Sequence, residues 1–334
     1  MAETRFDVVG IGNAIVDVIA RCDEDFLVRE HLTKNAMILV DEARSFQLYS
    51  RMGPGVEVSG GSAGNTMAAM AQLGSKVAYI GKVKADQLGQ VFRHDMTSQG
   101  ARFVTLPALD GPSTARCLVL VTPDGHRTMC TYLGACVELG PEDLDFEALK
   151  ATKAVYMEGY LFDPPRAKAA FREAAKTVHA AGGKVALSLS DSFCVNRHKG
   201  EFRDLVENHV DILFANESEA MALTDAASFD EAAAALAGKA EVIAITRSEQ
   251  GSVVLAGGTQ VAVPAEPVAR VVDTTGAGDL YAAGFLHAWA RGLSPAQMAK
   301  AGAIAAAEII SHIGARPETP LPSLFRAALP EALA

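Results

Sequence analysis

The alternation of apolar and polar positions begins with a short β-strand. Residues Phe6–Ile11 form an apolar run closed by Gly10 and Gly12, which predicts a buried first strand. Charged and less regular sequence follows up to about residue 58, and within it Ala36–Val40 predicts a further strand.

Helical spacing starts at Gly61. Met67, Met70 and Leu73 recur on one face, and Gly74 stands where glycine commonly ends a helix. The run Val77–Ile80 predicts a strand, and the pattern over Leu88–Ser98 predicts a second helix ended by Gly100.

A hairpin is predicted next. Residues 115–122 and 126–132 are β-prone, and Pro123-Asp124-Gly125 between them is a strong turn signal.

Beyond residue 150 strands and helices alternate regularly. The predicted strands are Ala154–Met157, Lys184–Ser190, Asp211–Ala215 and Glu241–Thr246, and the helices are 166–180, near 200–207 and near 217–238. This order implies right-handed crossovers and a mostly parallel sheet with helices on both faces. We interpret residues 1–334 as one α/β domain whose small β lid comes from about 14–58 and 110–135.

Composition narrows the function classes. The chain has 334 residues, 49% of them hydrophobic, and 40 acidic against 30 basic residues give a formal charge of −10. This excess of acid argues against a nucleic-acid partner. The acidic N-terminus and the absence of a long apolar run predict a cytoplasmic protein with no membrane partner. Five cysteines without CxxC spacing predict reduced, mostly buried thiols. Both a monomer and a homodimer fit the sequence.

The most informative segment is Val271–Asp279, VVDTTGAGD, which leads into the apolar run Leu280–Trp289. A Gly-Ala-Gly turn opening a helix leaves backbone N–H groups free, and the helix dipole adds positive potential there. We expect an anion site at Gly276, Ala277 and Gly278. The competing interpretation of Asp279 is an acid that only complements the helix start.

Two further segments are rich in glycine: one leads into a predicted helix, and the other comes at the end of the first predicted strand. SGGSAGNT, residues 59–66, lets a ligand approach the backbone, and Asn65 offers a donor and an acceptor. GIGNAIVD, residues 10–17, is similar to a dinucleotide-binding fingerprint, but Ile15 occupies the place of its small third residue, which disfavours a dehydrogenase. Asp17 is better explained as a carboxylate at the end of the first strand, ready to accept from a sugar diol.

These segments, in this order, resemble those of the ribokinase-like (PfkB) sugar and nucleoside kinases along the whole chain. GNAIVDV, DEDFL, GGSAGN and DTTGAGD are most similar to those of the adenosine kinases within that family. The resemblance implies a three-layer sandwich with a mostly parallel central sheet and a β lid. It also implies transfer of a phosphoryl group from ATP to a nucleoside 5′-hydroxyl, with Asp279 as the base and the Gly276, Ala277 and Gly278 backbone stabilising the transferred group.

The same resemblance assigns the nucleotide end. Asn216 and Glu219 would organise Mg²⁺ through water, and the alternative is a helix N-cap at Asn216. Thr246, Gly251 and Thr275 would contact the nucleotide. A requirement for K⁺ stays open.

For the acceptor, the resemblance implies that Asp17, Gly60, Gly61 and Asn65 hold ribose hydroxyls, with Asn13 beside them. The candidates that flank the base are apolar, aromatic or small residues: Ile15, Leu39, Ser62 and Tyr160. Met37 stands where the animal enzymes have Gln, so guanosine, inosine or a plain sugar stays open as acceptor. A ribokinase- or fructokinase-like sugar kinase is the main alternative, and a non-catalytic ligand sensor is another.

Overall fold

Residues 5–333 are described by the computed structural model, and their strands form two sheets. The strands are β1 (Phe6–Ile11), β2 (Ile15–Arg21), β3 (Met37–Leu39), β4 (Gly55–Gly60), β5 (Val77–Ile80), β6 (Arg102–Phe103), β7 (Ala115–Val121), β8 (Arg127–Tyr132), β9 (Thr152–Glu158), β10 (Lys184–Ser188), β11 (Ile212–Asn216), β12 (Val242–Thr246), β13 (Ser252–Ala256) and β14 (Thr259–Val263). The main sheet has the order β14-β13-β12-β11-β10-β9-β1-β5-β6, and the second sheet has the order β3-β8-β7-β2-β4.

Helices connect most of the main-sheet strands. They are α1 (Glu24–Arg29), α2 (Glu42–Arg51), α3 (Ser62–Gln72), α4 (Gln87–Ser98), α5 (Phe146–Lys150), α6 (Pro165–Ala180), α7 (Ser192–Arg197), α8 (Lys199–Asn208), α9 (Glu217–Thr224), α10 (Phe229–Leu236), α11 (Ala277–Trp289), α12 (Pro295–Ile309) and α13 (Leu321–Ala328). Across residues 5–333, no helix combines the length and the apolar character needed to cross a bilayer.

The main sheet is parallel from β6 to β12 and antiparallel only where β13 and β14 extend it. Adjacent residues of its strands point to opposite faces: Val8 joins one apolar core and Val9 the other. Helices α3, α4 and α11–α13 cover the first face, and α5–α10 cover the second. The predicted three-layer α/β architecture is therefore confirmed. The five free cysteines include four buried ones, as expected.

The second sheet contains two strands that the sequence pattern did not indicate. The hairpin β7–β8 and the strand at 36–40 are confirmed, but β2 and β4 occupy sequence that we had interpreted as irregular. Strand β2 has apolar residues on both faces, so its alternation is weak, and β4 is glycine-rich. The segment 36–58 also contains the helix α2, so it is not purely β.

The helix expected near 200–207 is confirmed as α8, but the short helix α7 before it was not predicted. Asp191 starts α7 by accepting from the N–H of Cys194. The strand expected to reach residue 190 ends at Ser188, and Ser190 adopts a φ of 67°, which a strand does not allow.

Candidate active site

The start of α11 exposes backbone donors. Gly276 precedes the helix with a φ of 77°, and no side chain caps it. Within residues 5–333 the N–H groups of Gly278 and Asp279 have no hydrogen-bond acceptor. An added Cβ on Gly278 would have no heavy atom within 4 Å, so the space in front of this turn is open. Free donors at the positive end of a helix dipole can bind an anion.

The Asp279 carboxylate is held by side chains of α3. Ser62 Oγ donates to Asp279 Oδ1 at 2.6 Å, and Asn65 Nδ2 donates to Asp279 Oδ2 at 2.9 Å. Burial raises the pKa of Asp279, while these two hydrogen bonds and the Arg316 guanidinium act to lower it. Asp279 is thus a fixed carboxylate beside the open donors of α11.

The start of α3 is built differently. Gly61 precedes it with a φ of 81°, and a Cβ there would lie 2.0 Å from the Asn13 carbonyl oxygen, so only glycine fits. The Ala63 N–H donates to Glu158 Oε2 at 2.6 Å, while the backbone N–H and Nδ2 of Asn13 donate to Glu158 Oε1 at 2.8 and 2.7 Å. Glu158 is 1% exposed, and burial raises its pKa to about 7. One buried carboxylate therefore joins Asn13 to α3.

Asp17 is close enough to Asp279 for the charge of Asp279 to raise its pKa, and the region that the two carboxylates share is called the recess below. It lies within β2 and not at the end of the first strand as expected, because a new strand starts at Ile15. Gly60 of β4 is beside it, where an added Cβ would come within 2.4 Å of Asp17 Oδ2. Burial raises the pKa of Asp17 to about 6, Arg316 and Arg127 lower it, and the charge of Asp279 raises it. Two carboxylates with pKa values above the ordinary range thus face one recess.

Arg127, from the second sheet, reaches the loop before α11. Its guanidinium donates to the Asp273 carboxylate and to Thr275 Oγ1. The same carboxylate accepts from the Gly314 N–H at 3.0 Å and from the Thr275 N–H at 2.9 Å. This arrangement fixes the DTTGAGD loop through an ion pair between Arg127 and Asp273.

The nucleotide-side candidates lie on neighbouring strands. Asn216 and Thr246 are paired at the ends of β11 and β12. Asn216 caps α9: its Oδ1 accepts from the Glu219 N–H at 2.8 Å, while its N–H and Nδ2 donate to the Glu219 carboxylate at 2.9 and 2.7 Å. The N-cap interpretation is therefore correct for these two residues. Gly251 has a φ of 85°, and a Cβ there would lie 2.1 Å from the Val263 carbonyl oxygen.

Comparison with known proteins agrees with this layout. The profile of the pfkB family carbohydrate kinases matches residues 32–322. This chain belongs to that family. It is similar to adenosine kinase 1 of Arabidopsis thaliana, at 27% identity over 96% of this chain and 99% of that protein. It is similar to the ATP-dependent ribose-1-phosphate kinase of Halopiger xanaduensis, at 30% identity over 69% of this chain and 73% of that protein. The solved structure of adenosine kinase from Sinorhizobium meliloti is 53% identical, with a TM-score of 0.89 over 97% of this chain and 99% of that one.

The pfkB kinase fold gathers most of the predicted acceptor residues at one place. Ser62 and Asn65 donate to Asp279, and Asn13 is joined to the start of α3 through Glu158 and lies against Gly61. Ser62 contacts the carboxylate, which is not the base-flanking position expected for it.

The other base-flanking candidates are spread out. Ile15 lies on β2, two residues before Asp17 and on the same face of the second sheet. Leu39 lies on β3, also on that face, and is 64% exposed. Tyr160 lies in the turn Gly159–Phe162 that follows β9. Burial raises the pKa of Tyr160, and the carboxylates of Asp279 and Asp191 raise it further. Tyr160 is therefore within electrostatic reach of Asp279.

Three residues of the kinase site were not predicted: Arg127, Glu158 and Arg316. Glu158 ends a buried parallel strand, and an acid at that place is a signal that sequence reasoning could have used. Arg127 and Arg316 reach the site only through the tertiary fold, and no local pattern marks them.

Proposed function

We propose that this kinase transfers the γ-phosphoryl group of ATP to the 5′-hydroxyl of adenosine. The observation that carries the proposal is the position of Asp279, a fixed carboxylate directly beside the open N–H groups at the start of α11. A proton acceptor next to an anion site is what the transfer of a phosphoryl group to an alcohol requires.

Asp279 is proposed as the base. The attacking hydroxyl loses its proton as the new P–O bond forms, and a carboxylate whose pKa is raised accepts that proton more readily. Ser62 and Asn65 hold both carboxylate oxygens, which keeps the base aimed at the acceptor. Orientation of this kind supplies a large part of the rate enhancement in phosphoryl transfer.

The anion hole is proposed at the turn Gly276, Ala277 and Gly278, where the N–H groups of Gly278 and Asp279 are open and that of Ala277 donates to the Thr274 carbonyl oxygen at 3.2 Å. Backbone donors and the helix dipole favour the negative charge that spreads over the transferred group. Arg127 holds the same loop through its ion pair with Asp273 and its contact with Thr275. These groups are in place before the reaction, so little reorganisation is needed.

The acceptor is proposed to bind between Asp17 and α3. The Asp17 carboxylate can accept from two vicinal hydroxyls, as a ribose 2′,3′-diol offers. Ile15, Cys117 and Leu39 share its face of the second sheet and give an apolar surface for a nucleobase. A polar grip for ribose beside an apolar surface fits a nucleoside better than a plain sugar.

The nucleotide and metal are proposed at the other end of the recess. Asn216, Thr246, Gly251 and Thr275 would contact ATP. Both Glu219 oxygens already accept from Asn216, so contact of this pair with Mg²⁺ is proposed through water. Magnesium would neutralise phosphate charge when bound. The family supports ATP, and a K⁺ requirement and the cytoplasmic location stay predictions.

We further propose that residues 1–334 act as one kinase domain with the second sheet as its lid. All five strands of that sheet come from residues 15–132, and it carries Asp17 and Arg127 to the recess.

Phosphorylation of ribose 1-phosphate is the second candidate, because a relative carries that activity in its name. The charges of the acceptor recess disfavour it. The charge of Asp279 acts on Asp17, and the guanidinium of Arg316 already donates to Ser59 and Asn65. A phosphate on the acceptor would be brought close to two carboxylates.

A coupled ADP-release assay with one panel of acceptors tests these alternatives. The panel is adenosine, guanosine, inosine, ribose, fructose and ribose 1-phosphate, each at equal concentration with Mg·ATP. Adenosine should give the highest kcat/KM. A higher kcat/KM for ribose, fructose or ribose 1-phosphate would refute the nucleoside proposal, and no acceptor-dependent ADP release at all would refute a kinase.

A further inference from the structure

Arg316 lies outside every motif that predicted the site, in the segment between α12 and α13. Its Nη1 donates to Asn65 Oδ1 at 2.9 Å, and its Nη2 donates to the Ser59 carbonyl oxygen at 2.6 Å and to Ser59 Oγ at 2.8 Å. One guanidinium thus joins the end of β4 to the first turn of α3.

These contacts decide how the Asn65 amide is turned. An amide has one acceptor side and one donor side, and a guanidinium can only donate. Arg316 therefore takes Oδ1 of Asn65 and leaves Nδ2 to face Asp279 Oδ2, at 2.9 Å. The carboxylate itself also favours Nδ2, because it can only accept, so Arg316 fixes the same orientation from the other side of the amide.

Arg316 is itself held in place by a second carboxylate. Asp95 Oδ2, on α4, accepts from the Ser59 N–H at 2.9 Å and from Ser59 Oγ at 2.5 Å. Because the Ser59 hydroxyl donates to Asp95, its oxygen lone pair is left for Arg316. The chain of contacts runs from Asp95 through Ser59, Arg316 and Asn65 to Asp279.

The charge of Arg316 also acts on the recess. It lowers the pKa of Asp279 and of Asp17, against the effect of burial. The other titratable groups within electrostatic reach of Asp279 are Asp17, Tyr156, Glu158 and Tyr160. Arg316 is the cation among the groups that set the charge state of Asp279.

We propose that Arg316 is a positioning residue for the proton transfer, which it supports by fixing the Asn65 amide against Asp279 and by placing a positive charge beside that carboxylate. The proposal rests on the proposed role of Asp279 as the base. It gives the C-terminal segment a part in the chemistry that the DTTGAGD and GGSAGN segments do not have alone.

The test compares Arg316→Gln, Arg316→Lys and Arg291→Gln by the pH dependence of kcat. The acceptor is whichever compound the unmodified enzyme uses best. Arg291 is a matched control, because it is also a partly buried arginine, but it donates to the His287 carbonyl oxygen away from the recess. In Arg316→Gln we expect kcat to fall about 100-fold. The acid limb of its kcat profile, where kcat rises with pH as Asp279 loses its proton, should move about one unit to higher pH. Loss of a nearby opposite charge raises the pKa of a carboxylate.

Arg316→Lys keeps the charge but loses the forked geometry. Its acid limb should stay near that of the unmodified enzyme, while kcat falls about tenfold. The KM for ATP should be unchanged in both variants, and Arg291→Gln should match the unmodified enzyme. An acid limb that does not move in Arg316→Gln would overturn the proposal, even if kcat falls. If circular dichroism shows that Arg316→Gln does not fold, the pH profile of Arg316→Lys decides. Lysine keeps the positive charge, so an acid limb that moves by about one pH unit in Arg316→Lys would refute the proposed effect of that charge on Asp279.

Failure of the proposed function gives a different result. If adenosine is not the preferred acceptor, the Arg316 variants are compared on the preferred one. If Asp279→Asn retains full turnover, the role of Asp279 as base is refuted. An unchanged acid limb in Arg316→Gln is then explained by the failure of the proposed base.

Discussion

The starts of α3 and α11 have the same local design and different surroundings. Each follows a glycine with positive φ, 81° at Gly61 and 77° at Gly276, and neither has a side-chain cap from its own segment. At α3 the Ala63 N–H is taken by Glu158, a residue 95 positions away in sequence. At α11 the N–H groups of Gly278 and Asp279 have no acceptor within the described part of the chain. A glycine-rich helix start is thus a potential anion site, and distant residues decide whether it is available.

The two helix starts also depend on each other. Asp279, the proposed base, belongs to α11, but its carboxylate is held by Ser62 and Asn65 of α3. On the proposed mechanism the start of α3 positions side chains, and the start of α11 binds the phosphoryl charge. The following predictions separate these two roles.

The largest effect is expected for Asp279→Asn. The amide keeps the shape of the side chain but cannot take the proton, so kcat should fall by about 10²–10⁴-fold. Binding of acceptor and ATP, measured by calorimetry, should remain. Asp145→Asn is a suitable control, because Asp145 also lies at a helix start and accepts from the Ala148 N–H at 3.0 Å. Equal turnover in Asp279→Asn and in the control would refute Asp279 as the base and would favour the interpretation that it only complements the start of its helix.

Gly278→Ala tests whether the open donors of α11 receive the phosphoryl group. The added methyl has no protein atom within 4 Å. It should therefore raise the free energy of unfolding by about 0.5–1 kcal/mol. Because it would stand in the proposed phosphate site, kcat/KM for ATP should fall by about 10–100-fold.

Gly200→Ala is the matched control, since Gly200 is also the second residue of a helix, α8, and has an equally empty Cβ position. It should gain similar stability in urea denaturation and keep full activity. Full activity in Gly278→Ala as well would place the phosphate elsewhere.

Prediction from sequence succeeded where the pattern was local. Strand β1, the helix start at residue 61, the hairpin β7–β8 and the run of crossovers after residue 150 all follow from apolar periodicity and glycine positions. Asp279 was placed correctly in the first turn of its helix. These features depend on residues a few positions apart, so a pattern can show them.

What the sequence did not show is tertiary. Glu158 meets Ala63 and Asn13 across 95 and 145 positions, and Arg316 meets Asn65 across 251. No spacing along the chain encodes such contacts. Strands β2 and β4 were missed for a related reason, since their pairing with β7 and with each other supplies the regularity that their own composition lacks.

Glu158→Gln tests the start of α3. The glutamine amide would turn a donor toward the N–H of either Ala63 or Asn13, and the lost hydrogen bond should raise the acceptor KM about tenfold with a smaller change in kcat. Stability gives a second measurement. Burial raises the pKa of Glu158 from 4.5 to about 7, so the folded state holds this proton over a range in which the unfolded state has lost it.

The unmodified protein should therefore lose stability relative to Glu158→Gln as the pH rises from about 4.5 to 7. Urea denaturation at pH 5 and pH 8 measures this difference. A stability difference that is the same at both pH values would show that Glu158 does not titrate in this window.

The smallest expected effect is a change in protection of the second sheet. A kinase must keep water from the γ-phosphate until the acceptor is bound, and a covering element that closes on the acceptor is a common solution. Here β3, β4 and the hairpin β7–β8 belong to the sheet that carries Asp17, while β10 and β12 lie in the main sheet between two layers of helices. Addition of adenosine should slow hydrogen exchange in residues 36–58 and 115–132 and hardly change it in 184–190 and 241–246. Guanosine or ribose added at the same concentration should protect these segments less, since they fill the recess less well. Equal slowing of hydrogen exchange in all four segments, or no slowing in the first two, would contradict a closing lid. The acceptor site would then consist of the starts of α3 and α11 alone.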